Sequence, residues 1–210
     1  MSNEQEDLET LKSWWKNYGN ATIFGVILGV AILVGFRYWS QHKEERLQSA
    51  SVLYEQLLKE FRAQNVEAIR KTGESLVNDY SSTPYAGMAG LLLARLDYIV
   101  SDVAAATKHL QWVIDHAKDG ATVHAARLRL ARIYMDKGDK DKALALLNVT
   151  DQAGFEAEYA EAKGDIYLAQ GKPNEARSAY RDALKNLPTA SPYIPVLNMK
   201  LDDLGPEKTS

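Results

Sequence analysis

Four histidines, His42, His109, His116 and His124, are the residues best suited to proton transfer or metal ligation in this chain. No two stand at the H-x-x-x-H spacing that lets one helix face offer two imidazoles to zinc, and no partner pattern marks a nucleophile triad. His109 and His116 could share a helix face, but read as solvated or capping residues. Cysteine is absent, which removes disulfides, thiolate nucleophiles and Cys-ligated metals and suits an oxidising compartment. No Gly-rich phosphate loop follows a strand, because no alternating strand pattern of useful length occurs. The expectation is a non-enzyme with no catalytic residue, no cofactor and no metal.

The charge distribution removes another class. The formal net charge is −3, and the first 16 residues set Glu4, Glu6, Asp7 and Glu9 against Lys12 and Lys16. No basic cluster of the kind that displaces counterions from phosphates is present, so no nucleic-acid partner is expected.

The elements that must carry any function are a membrane span and a run of helices. Between Lys16 and Arg37 lie 20 uncharged residues, NYGNATIFGVILGVAILVGF, mostly Ile, Val, Leu, Phe, Ala and Gly from Ile23 to Phe36. As a helix this is about 30 Å long, the thickness of a bilayer's hydrocarbon core. Trp14, Trp15 and Tyr18 on one side and Tyr38 and Trp39 on the other suit the headgroup level. The acidic leader and the Phe36-Arg37-Tyr38-Trp39 ending argue against a cleaved signal peptide. Residues 1–16 are thus read as a leader, 17–39 as an anchor in the lipid bilayer, 40–204 as the repeat domain and 205–210 as a flexible tail. Gly25 and Gly29 form a G-x-x-x-G pair through which another membrane helix could approach. Lysine and arginine number two before the span and three soon after it (Arg37, Lys43, Arg46). That margin slightly favours a cytoplasmic C-terminal side, and long domains cross largely regardless of charge.

From Gln41 onward Ala, Leu, Glu, Lys and Arg dominate, with Gly and Pro confined to the intervals between apolar-periodic segments. Gly164, Tyr167, Gly171, Ala176, Tyr180, Ala183 and Pro188 recur at the offsets of a tetratricopeptide repeat. Small residues let two antiparallel helices touch, the tyrosines fill the space between, and Pro188 ends the second helix. Ala131, Tyr134, Gly138, Ala143 and Leu147 repeat the register, and Ala94, Asp97, Ser101, Ala106, Leu110 and Val113 form a degraded copy with Ser101-Asp102 in place of the turn glycine. Glu44 to Ala63 and Val66 to Tyr80 read as an atypical first helix pair, and Val196 to Leu204 as a short capping helix. The fold class is all-α: a single N-terminal transmembrane helix followed by a tetratricopeptide-like helical solenoid.

Carrying the inner-face positions of such repeats over by register selects Met88, Leu91, Arg95 and Tyr98, then Leu128, Arg132 and Met135, then Glu161 and Asp165. They describe an adaptable apolar groove for protein segments, basic at one end and acidic at the other. Leu91 and Leu128 read equally as core residues.

The Trp14-Trp15 leader, the anchor GVILGVAILVGFRYW (Gly25 to Trp39), LRLARIY (Leu128 to Tyr134) and GKPNEARSAY (Gly171 to Tyr180) resemble the YfgM family over nearly the whole chain. The resemblance implies an ancillary subunit of the bacterial SecYEG translocon, with the leader cytoplasmic, the anchor in the inner membrane and the repeats in the periplasm. It implies action with the membrane-anchored periplasmic chaperone PpiD on emerging secretory proteins. This topology runs against the charge count. The alternative is a membrane-tethered scaffold or regulatory subunit that sequesters a signalling protein.

Overall fold

The computed structural model describes residues 2–152 and 154–206; the side chains of 2–11, 13, 21, 22 and 26 are outside the description. Part of the leader (Glu4, Glu6, Asp7 and Glu9) and residues 207–210 of the expected tail therefore lie outside it. The described chain is helical without strands and divides into two compact units, Met1–Ser49 and Ala50–Ser210.

The described residues of the first unit lie within α1 (Ser2–Arg62). Its apolar stretch is long enough and apolar enough to cross a membrane, and the side chains of Phe24, Ile27, Leu28, Leu33 and Phe36 are exposed, as a lipid-facing helix requires. Trp14 packs beside Trp15 and Tyr18 with ring centroids 6.4 and 6.1 Å apart. At the other end Phe36 and Trp39 are 6.3 Å apart, and the Lys43 ammonium lies 5.6 Å from the Trp39 ring. These clusters place amphipathic rings at both interfaces of a transmembrane helix.

In the second unit, the end of α1 pairs with α2 (Val66–Asp79), α3 (Pro84–Ile99) with α4 (Val103–His116), α5 (Gly120–Asp136) with α6 (Lys140–Leu146), and α7 (Glu156–Ala169) with α8 (Pro173–Asn186). The final helix, α9 (Ile194–Asp202), packs on α8. Three turns within pairs bend through a left-handed residue at one repeat position: Ser101 (φ 65°), Gly138 (φ 84°) and Gly171 (φ 74°). Gln64 (φ 56°) does the same between α1 and α2. Glycine adopts this conformation freely and other residues do so at a cost, so Ser101 and Gln64 mark the repeat turn without its usual residue.

Small residues allow close helix approach where the repeat pattern predicts it. A Cβ on Gly164 would lie 2.4 Å from the ring of Tyr180, which is buried between α7 and α8 with Ala176 and Ala183 beside it. Gly90, four residues before the repeat position Ala94 and not selected by the register, does the same between α3 and α4, where a Cβ would meet Val113 at 2.5 Å.

Four core clusters follow one another in chain order. Ala50, Leu57, Ile69, Leu76 and Leu93 begin the series, and Ala94, Leu110, Ala126 and Leu130 continue it. Leu128, Leu147, Tyr159 and Ile166 form the third, and Tyr180, Ala183 and Leu197 the last. Trp112 touches the first two clusters, and Tyr134 and Leu146 touch the second and third. Each pair thus covers its neighbour's apolar face, which is how helical repeats acquire a core.

Asp97 occupies the position filled by Tyr134 and Tyr167 in later repeats, and is wholly buried. Its Oδ2 is 2.7 Å from His109 Nδ1 on α4. Its Oδ1 is 2.9 Å from Arg70 Nη1 on α2, an ionic contact without hydrogen-bond alignment. One carboxylate therefore ties three helices together.

Candidate protein-binding groove

The first helices of successive pairs stand side by side, α3 against α5 and α5 against α7, so their free faces form one continuous strip. Arg95 and Tyr98 come from α3, one turn apart, and Arg129 and Arg132 come from α5 with the same spacing. These four side chains, with Ile99, Ile133 and Asp136, line a cavity of about 530 Å³ floored by Ala94 and Leu110. Tyr98 is 48% exposed and Ile99 62% exposed, so an apolar ledge borders the guanidinium groups. The Tyr98 hydroxyl donates to Asp136 Oδ2 at 3.2 Å, and that bond holds the phenol pKa above its usual range.

Among the described residues no carboxylate pairs with Arg95, Arg129 or Arg132. Arg95 instead lies over the Phe61 ring at 5.3 Å. Burial pushes the pKa of Arg129 down, and the neighbouring charges of Arg95 and Arg132 push it further. The cavity thus gathers three positive charges against the single carboxylate of Asp136, which forms no ion pair with any of them.

Arg132 also borders a second cavity of about 400 Å³, shared with Glu158, Glu161, Tyr193 and Leu197. There the charge is matched from within. Lys200 on α9 reaches Glu161 Oε1 and Asp165 Oδ1, each at 2.7 Å. The Tyr193 hydroxyl donates to Glu161 at 2.7 Å and the Tyr180 hydroxyl to Asp165 at 2.8 Å.

The predicted residues therefore separate. Arg95, Tyr98 and Arg132 come together and are exposed, joined by Arg129 and Asp136, which the repeat register does not select. Met88 and Leu91 are half-buried on α3, Leu91 against the second core cluster. Leu128 is buried in the third cluster and Met135 is half-buried against it. Glu161 is buried and Asp165 half-buried, both engaged by the protein's own C-terminal helix. On the span, Gly25 and Gly29 face open space. The missed Arg129 had one signal: two like charges at i, i+3 on a helix are unfavourable unless something offsets them.

A transmembrane helix followed in sequence by a domain of stacked helix pairs defines a membrane-anchored helical-repeat protein. The chain belongs to the tetratricopeptide repeat-like family, whose family model matches residues 12–206. Curated relatives carry the name ancillary SecYEG translocon subunit. The Haemophilus influenzae protein is 32% identical over 86% of this chain and 88% of its own length. Those of Escherichia coli and Neisseria gonorrhoeae are each 29% identical, over 97% and 96% of this chain and 97% of their own lengths. The family likeness read from the anchor and the last two repeats stands.

Proposed function

We propose that the protein is a non-enzymatic ancillary subunit of the bacterial SecYEG translocon, held in the inner membrane by one span and working through its repeat domain. The observation that carries this reading is a repeat strip with an exposed Arg95-Tyr98-Arg132 surface in a chain whose near full-length relatives share that name. Exposed arginine and tyrosine beside apolar surface are the residues that most often anchor protein contacts. Residues 1–16 form the cytoplasmic leader, 17–39 the anchor and 40–204 a periplasmic repeat domain that meets the chaperone PpiD and emerging secretory proteins. Gly25 and Gly29 supply the close-approach face of the anchor toward a neighbouring membrane helix.

Two measurements test this. A reporter active only in the periplasm, fused after Ser210, is expected to work; its silence alongside an active cytoplasmic reporter overturns the topology. Wild-type protein is expected to co-purify with SecYEG, and Gly25→Leu with Gly29→Leu to weaken that association. Absence of SecYEG from the wild-type preparation overturns the assignment.

A further inference from the structure

The two ends of the first-helix strip solve opposite electrostatic problems, and only one is solved internally. At α7, the acidic pair Glu161 and Asp165 receives a cation and an apolar side chain from α9, Lys200 and Leu197, and a phenol from Tyr193, the residue that precedes α9. Between α3 and α5, Arg95, Arg129 and Arg132 converge on a cavity with an apolar ledge of Tyr98 and Ile99, and among the described residues none of the three has a carboxylate partner. Asp136, the acidic group there, is bonded to Tyr98. The cavities adjoin at Arg132, so the strip runs on from one to the other.

We propose that the cavity between α3 and α5 binds an acidic peptide segment of a partner protein, its carboxylates on Arg95, Arg129 and Arg132 and an apolar side chain on Tyr98 and Ile99. This rests on the protein-binding reading above and adds the partner's chemistry. Charge complementarity selects the occupant, because three guanidinium groups offer planar forks to carboxylates and are paired with none among the described residues. Their distribution over two helices, beside exposed apolar side chains, suits spaced carboxylates with an apolar residue between them. A lipid phosphate instead concentrates its charge at one point. The lowered pKa of Arg129 agrees with a cluster assembled for an external anion.

The test uses the full chain in nanodiscs of neutral lipid and a short fluorescent peptide of alternating glutamate and leucine. Wild-type protein is expected to bind it, with affinity falling as salt rises. Arg95→Gln, Arg129→Gln and Arg132→Gln are each expected to weaken binding by roughly tenfold. Circular dichroism checks that each variant retains its helices. Arg95→Glu with Arg132→Glu should reverse the preference toward a lysine-leucine peptide, an outcome that a misfolded variant does not give. Equal binding of a glutamine-leucine peptide, unchanged affinity in the variants, or displacement of the peptide by phosphatidylglycerol vesicles through the same arginines overturns the proposal. Co-purification of wild-type protein with SecYEG, measured without these peptides, reports separately on the proposed function.

Discussion

The Lys200 ammonium of α9 lies 2.7 Å from the Asp165 carboxylate of α7, across a cluster that also holds Glu161. Lys200→Ala should destabilise the repeat domain by about 2 kcal/mol, typical for hydrogen bonds to charged groups, read as a lower urea midpoint. Burial lowers the Lys200 pKa, but hydrogen bonds and charge from Asp165 and Glu161 outweigh it and the net shift is upward. A raised folded-state pKa makes the ammonium's contribution complete below the ordinary value of 10.5 and lost as pH rises through the folded value. The difference between wild type and Lys200→Ala should therefore be flat through neutral pH and shrink only in strong alkali.

Asp97 predicts an asymmetry. Arg70→Ala removes the guanidinium from a carboxylate with no solvent exposure, leaving it the His109 contact, and should cost about 3 kcal/mol. Asp97→Leu should cost less, because the Arg70 side chain is 36% exposed and can return to water. Chemical denaturation of both variants decides the order; equal costs would remove Asp97 as the tie between α2, α3 and α4.

The left-handed turn residues can be improved. Ser101→Gly should stabilise by roughly 0.5 kcal/mol, the relief of a strained side chain less the extra chain entropy of glycine. Gly171→Ala at the equivalent turn should destabilise by about 1 kcal/mol. Thermal melts of the pair should move in opposite directions.

Gly164→Ala brings a methyl against the Tyr180 ring, whose hydroxyl is held by Asp165. Overpacking of this kind costs about 2 kcal/mol. Adding Tyr180→Phe releases the ring from Asp165, and the double variant should recover part of the loss if the ring can shift.

Asp119 caps α5, its Oδ2 accepting from the Thr122 amide at 2.9 Å and the Thr122 hydroxyl at 2.6 Å. The side-chain bond first, and then the amide bond, hold its pKa below the usual 3.8. A depressed folded-state pKa makes the cap's contribution present above that value and lost as pH falls through the folded one. Asp119→Ala should cost about 1 kcal/mol at neutral pH and less in strong acid, by urea unfolding.

The later repeats were legible because their small, aromatic and turn residues stand where the helix contacts need them: Gly164 against Tyr180, Gly138 and Gly171 in left-handed turns. The first pair was harder to read for a reason visible in its register. Aligned on Gln64, Leu57 falls where Gly164 stands and Gly73 where Tyr180 stands, so large and small are exchanged across the pair. Gly73 instead admits Leu93 from α3, where a Cβ would lie 2.7 Å from the leucine side chain. The acidic end of the groove was legible as a charge pattern but not as an occupied one, because Lys200 lies 39 and 35 residues from its partners. Helical periodicity says nothing about a partner so distant in sequence. Arg129 escaped because the repeat register points to its neighbour Leu128, which turns into the core.

The chain-order succession of the four core clusters bears on how the domain is made. Its tertiary contacts are largely between helices adjacent or next-adjacent in sequence, so little loop must be closed before each contact forms. Pairs can close one after another as the polypeptide lengthens, each docking on a surface already formed. Synthesis order and assembly order then coincide, and α9 arrives last to cover the growing end.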